Sequence, residues 1–177
     1  MRIKDLLYLT AKEFCKRDNY LRLSKTKLIK LAYLAEVFFK RNTGKRLTTA
    51  KWIFWKFGPY LMEYPDILKS DAFNISDEED FNPIELNPAI SAPYAEAEER
   101  AAISTAMDFA DEDLNELLDF VYFDTEPMME AKSRGDELNF DSVRPAETYR
   151  VIKYSVNENM KKDIKRKLQA WKSGVTR

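Results

Sequence analysis

Carboxylates and basic side chains are the only groups abundant enough in this sequence to support chemistry. Its 177 residues include 30 Asp and Glu and 29 Lys and Arg, but no histidine and one cysteine, Cys15. Without histidine, the commonest general base and metal ligand is absent, so neither a Ser-His-Asp triad nor a Cys-His pair can form. Carboxylate-based hydrolysis and Mg²⁺ chemistry stay open. We expect a protein that is not an enzyme and uses no cofactor.

Two acidic clusters are candidates for binding a divalent cation. The first comprises Asp77, Glu78, Glu79 and Asp80, and the second runs from Asp111 to Asp113. Neither has the ligand spacing or the glycine of a calcium-binding loop. Solvated loops and helix caps are therefore the favoured interpretation, and we predict no metal site.

Charge is strongly segregated along the chain. Residues 1–60 carry a net charge of +11, residues 61–143 a net −19 and residues 144–177 a net +7. Internal compensation, with acidic segments packed beside basic ones, is the favoured explanation. The alternative is an acidic face that neutralises a basic partner.

A basic helix is predicted near the C-terminus, over residues 155–173. Its lysines and arginines could track phosphates and Trp171 could stack on a base, as in a nucleic-acid-binding regulator. No convincing helix-turn-helix pattern accompanies it, and the acidic middle of the chain would repel a phosphate backbone. Nucleic acid is therefore an unlikely partner, and a solvated or internally paired helix face is favoured.

The element expected to position any functional site is a nearly apolar helix. Between Leu28 and Phe39 only Lys30 and Glu36 are charged, which predicts a helix surrounded by protein. Ser24 is its expected N-cap, and it should run to about Arg41 and stop before Gly44. The stretch is too short to cross a membrane. We expect no membrane insertion and, with one free cysteine, a cytoplasmic protein.

An aromatic run follows this helix and ends at a Gly-Pro pair. The pattern of residues 52–57 predicts a short strand that meets a turn at Gly58 and Pro59. A short helix should then begin near Pro59 and run through Leu68, and Pro65 is an alternative start for it. Strand alternation places Trp55 and Phe57 on one side and Phe54 on the other. Core packing is the favoured interpretation for each aromatic, although an exposed one could anchor a partner.

The remaining pattern predicts further helices and a small amount of strand. Helices are expected over residues 2–17 and 95–108, after a cap at Asp111, and from Thr125 to Gly135; residues 84–86 suggest a short strand. The predicted fold is mainly α, a compact single-domain helical bundle around the buried central helix, with a small β element. One domain should span residues 1–177.

Three segments in this order resemble the signatures of a known family. The first is the helix Leu28–Glu36, which contains Lys-Leu-x-Tyr-x-Ala; the second is Trp55-Lys-Phe-Gly-Pro59. The third starts at Thr125-Glu-Pro127 and continues through Gly135 to Leu138 and Phe140. Together they are similar to the Panacea domain, the phage-associated SocA-like antitoxins. The resemblance covers residues 24–140.

The resemblance implies a function in a toxin–antitoxin system. Members of the family neutralise a toxin encoded by the adjacent gene through direct protein–protein binding. A SocA-type member instead acts as an adaptor that delivers its toxin to a Clp-type protease, which is the alternative for this chain. The sequence departs from the family pattern after Pro59, where Tyr60 and Tyr64 follow, so specificity is expected there. Candidate partner contacts are Trp52, Phe54, Gly58, Pro59, Tyr60, Tyr64, Asp77, Glu78, Glu79 and Asp80.

Overall fold

The structure, a computed structural model, describes residues 1–17, 22–75 and 83–147. Six α-helices account for most of its regular structure: α1 Ile3–Cys15, α2 Lys25–Thr43, α3 Tyr64–Leu68, α4 Ala97–Ala106, α5 Leu114–Phe123 and α6 Glu126–Glu130. Two antiparallel pairs of short strands complete it: β1 Ile53–Trp55 with β2 Gly58–Tyr60, and β3 Phe73–Ile75 with β4 Ile84–Leu86. The prediction of a mainly α fold with a small β element is confirmed.

Helix α2 is buried along most of its length and contacts α1, α4, α5 and β2. It begins as predicted, because the Ser24 hydroxyl accepts a hydrogen bond from the Lys27 amide (3.1 Å). It ends where Gly44 adopts a left-handed conformation (φ +71°) and donates to the Lys40 carbonyl oxygen. Buried side chains between Leu6 and Val143 form one hydrophobic cluster around it. The finer prediction, a single-domain bundle built around this helix, stays a prediction.

Local signals located several other elements but placed some of their boundaries wrongly. The helix expected after Asp111 is α5, but Asp113 caps it, accepting hydrogen bonds from the Asn115 and Glu116 amides. The helix opened by Thr125 ends at Glu130, five residues before the predicted stop at Gly135. The predicted strand at residues 84–86 is β4, and its partner β3 was not foreseen. The predicted C-terminal helix lies outside the described residues.

The prediction that Pro59 starts a helix is wrong. Pro59 lies in β2 opposite Phe54, and Lys56 and Phe57 form the turn of the hairpin. Helix α3 begins only at Tyr64, with Pro65 in its first turn, the alternative start that the sequence suggested. A proline with φ near −65° is compatible with both a helix start and an edge strand, so the local pattern could not distinguish them.

Candidate partner-binding site

The β1–β2 hairpin has a second backbone partner on its other side. The Phe54 amide donates to the Asp136 carbonyl oxygen (2.9 Å), and the Phe54 carbonyl oxygen accepts from the Gly135 amide (2.8 Å). Further along, the Leu138 amide donates to the Trp52 carbonyl oxygen (2.8 Å). Because backbone hydrogen bonds hold β1 on both edges, the hairpin presents its turn from a fixed framework.

Gly58 gives the hairpin its backbone shape. Its φ of +91° lies in the region that side-chain-bearing residues rarely adopt. A Cβ at this position would lie 3.4 Å from Tyr122 Cζ and 3.6 Å from Lys30 Nζ, which is ordinary van der Waals contact. Glycine is therefore required here by the dihedral angle rather than by a lack of space.

Lys30 lies directly beneath this hairpin. It is buried, and its ammonium group donates a hydrogen bond to the Pro59 carbonyl oxygen (2.7 Å). Burial disfavours the charged form and lowers the pKa of Lys30 to about 7. A basic side chain on the central helix thus fixes the strand that carries the Gly-Pro pair. Its hydrogen-bond acceptor there is a backbone carbonyl oxygen.

A cavity of about 390 Å³ opens between α2, the hairpin and α3. This hairpin cavity is walled mainly by apolar and aromatic side chains: Ile29, Trp55, Phe57, Tyr60, Tyr64, Pro65, Leu68 and Ile75. Four lysines also line it, namely Lys25, Lys30, Lys56 and Lys69, and no carboxylate of the described part of the chain does. Its volume and mixed lining are typical of sites that bind a small group.

The aromatic residues of the hairpin divide into a buried and an exposed set. Trp52 and Phe54 are 1% and 2% exposed, so they pack in the core and a direct partner contact would require rearrangement. The core packing expected of Trp55 and Phe57 is wrong, because they are 43% and 49% exposed. Alternation separates the two sides of a strand but does not specify which side faces the core.

The other predicted contact residues are mostly buried or lie outside the described residues. Gly58 and Pro59 are buried in β2, and Tyr64 is buried with its hydroxyl donating to the Lys25 carbonyl oxygen (2.7 Å). Tyr60 is half-buried at the cavity and packs edge-on against Tyr64, with ring centroids 6.1 Å apart. Asp77, Glu78, Glu79 and Asp80 lie outside the described residues.

Sequence reasoning missed Lys30, Trp55 and Phe57 as site residues. A signal for Lys30 was present, because a lysine inside an otherwise apolar helix must find a polar partner or border a cavity. No comparable signal showed that Trp55 and Phe57 face outwards. Which face of the hairpin is exposed depends on its packing against α2 and α5, elements distant along the chain.

The second acidic cluster has a structural role. Arg17 pairs with Asp111 at 3.2 Å, and Lys27 donates to the carbonyl oxygen of Glu112. Within residues 1–17, 22–75 and 83–147, no three acidic or cysteine side chains converge on a possible metal site. In those same ranges, no helix combines the length and the apolar character needed to span a membrane.

The three segments singled out in the sequence meet around α2. Lys30 bonds to Pro59, and the Tyr33 hydroxyl lies 2.9 Å from Thr125 Oγ1, which in turn donates to the Val121 carbonyl oxygen. Since residues 135–138 bond to β1, the third segment also contacts the second. The motifs therefore constitute one connected structural unit rather than three separate features.

A comparison with protein families agrees with the grouping of these three segments. A family model described as "Antitoxin SocA-like, Panacea domain" matches residues 28–132, more than half of the chain. The chain belongs to this Panacea family. The match includes α2, the hairpin and the Thr125 segment, and it ends before Gly135. Searches of curated proteins and of solved structures found no match.

Proposed function

We propose that this chain is the antitoxin of a toxin–antitoxin system and neutralises its cognate toxin by direct binding. Membership of the Panacea family supports an antitoxin. The observation that carries direct binding is the exposed hairpin face, comprising Trp55 and Phe57, which are 43% and 49% exposed. The proposed action is non-enzymatic and cytoplasmic, requires no cofactor, and has as its target the product of the adjacent gene.

The hairpin face has the chemistry of a protein interface. Tryptophan and phenylalanine are enriched at interfaces, where large rings bury much area at a small cost in conformational entropy. Backbone hydrogen bonds of β1 and the Lys30 hydrogen bond hold the backbone behind these side chains. Binding therefore costs little additional conformational entropy. A preorganised aromatic surface of this kind supports tight and specific association.

Co-expression with the adjacent gene product tests the proposal. We expect that product to arrest growth alone, and this chain to restore growth and to co-purify with it. Replacing both Trp55 and Phe57 by alanine should weaken binding about 1,000-fold, since hot-spot side chains contribute about 2 kcal/mol or more each. The Kd is measured by calorimetry on the purified proteins.

Tyr94→Ala is the matched control, because Tyr94 is an aromatic residue 77% exposed and does not line the hairpin cavity. It should change the Kd by less than about twofold. A neighbour that remains toxic and does not co-purify contradicts the proposal. Loss of the toxin only in cells with an intact Clp-type protease indicates the adaptor mechanism instead.

A further inference from the structure

Among the described residues, the side chains that line the hairpin cavity give it a positive character. Four lysines line it, and among the residues that line it none is acidic. One of the four, Lys69, has an ion-pair partner outside the cavity, Asp66 at 3.5 Å, and both side chains are largely exposed. A pair so exposed to water contributes little and is easily exchanged. An anionic group entering the cavity would therefore meet several cations and, among the described lining residues, no like charge.

The ammonium group of Lys30 supplies hydrogen-bond donors at the cavity that this residue lines. An ammonium group carries three N–H donors, and among the described residues the Pro59 carbonyl oxygen is the one acceptor that Lys30 Nζ reaches. Buried donors are normally all satisfied, by protein or by water. The remaining donor capacity of Lys30 is thus available to a ligand in the cavity that it lines.

The rest of the lining favours an apolar body on the ligand. Trp55 and Phe57 are exposed at the cavity, whereas Ile29, Leu68 and Ile75 add aliphatic surface. A volume of about 390 Å³ is near the lower end for small-ligand pockets, so it suits one large side chain with its acidic neighbour rather than a folded domain.

We propose that the hairpin cavity binds a carboxylate carried beside an aromatic or large apolar side chain, presented by a segment of the toxin. The identity of the partner rests on the proposed function. A carboxylate, with one negative charge, matches the single buried ammonium group of Lys30, whereas a phosphate would bring about two charges into a mostly apolar cavity. Lys25, Lys56 and Lys69 steer the acidic segment towards the cavity.

A small probe tests the chemistry of the cavity on the full chain. 3-Phenylpropionate should shift the NMR signal of the Trp55 indole N–H with a dissociation constant in the millimolar range. Its neutral analogue, 3-phenylpropionamide, should bind at least fivefold more weakly. Equal binding of acid and amide, or no effect of either, would overturn the proposed carboxylate site.

Lysine variants then connect the cavity to the toxin. Lys30→Met keeps a side chain of similar length without charge, and Lys56→Gln provides a second variant that leaves the interior unchanged. We expect each to weaken both phenylpropionate and toxin binding about five- to tenfold. Lys51→Gln, an exposed position that does not line the cavity, is the control and should change either Kd less than twofold.

The outcomes separate this inference from the proposed function. If both lysine variants bind the toxin as tightly as the unmodified chain, the cavity inference is wrong while the antitoxin proposal stands. A different outcome is that the unmodified chain binds phenylpropionate in a lysine-dependent manner but does not bind the toxin. The occupant of the cavity is then a free small molecule, and both the toxin-segment inference and the antitoxin proposal fail.

Discussion

Lys30 combines two demands that usually conflict, a buried position and a basic group. Its hydrogen bond to Pro59 fixes the hairpin, yet burial opposes protonation and lowers its pKa to about 7. The charged form therefore costs folding free energy that the neutral form does not. An apolar side chain of the same length would pack at this position without this cost.

The pKa of Lys30 predicts an unusual dependence of stability on pH. Between pH 7 and about 10.5 the unfolded chain binds this proton more strongly than the folded chain, so the free energy of unfolding rises with pH. From pH 7 to 8.5 the expected gain is about 1.5 kcal/mol. Urea denaturation at several pH values measures it.

No histidine titrates in this pH window. Burial raises the pKa of Tyr33, Tyr64 and Tyr122, so these tyrosines affect stability only at higher pH. Lys30→Met should remove the rise. A variant that keeps the same slope would show that another group is responsible.

At the scale of elements, α2 is connected to the segment from α5 to α6 by polar contacts inside the core. Tyr33 donates to Thr125, whose own hydrogen is directed to the Val121 carbonyl oxygen. About two turns further along α2, Arg41 donates to the Asp124 carbonyl oxygen and to Glu126 Oε2, both at 2.8 Å. These contacts position the start of α6 against the central helix.

Glu126 is expected to matter for stability because its ion pair with Arg41 is shielded from water. The two side chains are 12% and 4% exposed. Glu126→Gln should lower the free energy of unfolding by about 2–3 kcal/mol, since it removes the negative charge from an ion pair that is shielded from water. Chemical denaturation measured by circular dichroism provides the value.

Asp141→Asn is the matched control for this pair. Asp141 also pairs with a cation of α2, Lys40, but at 3.4 Å and with its side chain 92% exposed. Its substitution should change stability by less than about 0.5 kcal/mol. Equal losses at the two positions would contradict the assignment of the Glu126 effect to burial.

At the scale of the whole molecule, the segregated charges of the sequence are brought together. Arg17 with Asp111, Arg41 with Glu126, and Lys40 with Asp141 each join the basic N-terminal region to the acidic middle region. These pairs agree with internal compensation, the favoured interpretation of the sequence. The hairpin cavity is different, because its lysines face no acidic lining residue.

One hydrophobic cluster that includes side chains from Leu6 to Val143 predicts a single cooperative unfolding transition. Circular dichroism follows the helices, and tryptophan fluorescence follows the environment of buried Trp52. The two probes should give the same midpoint within experimental error. Separate midpoints would instead indicate independently folding parts and contradict a single domain.

How well the sequence predicted a structural feature depended on how far apart along the chain the interacting residues lie. The course of α2, its cap at Ser24 and its stop at Gly44 follow from side chains a few positions apart, and the structure has all three. The helix boundary at Gly135 was misplaced because that glycine instead bonds to Phe54, a residue 81 positions earlier. No local pattern contains that information.

By itself, the sequence determined the helical class, the buried central helix and the motifs of the Panacea family, because periodicity, capping and motif spacing are properties of neighbouring residues. The folded chain alone reveals that Trp55 and Phe57 are exposed, that Lys30 reaches Pro59, and that four lysines line one cavity with no acid among the described lining residues. The physical reason is that burial and electrostatic environment arise from contacts between distant segments, which the order of residues along the chain does not display.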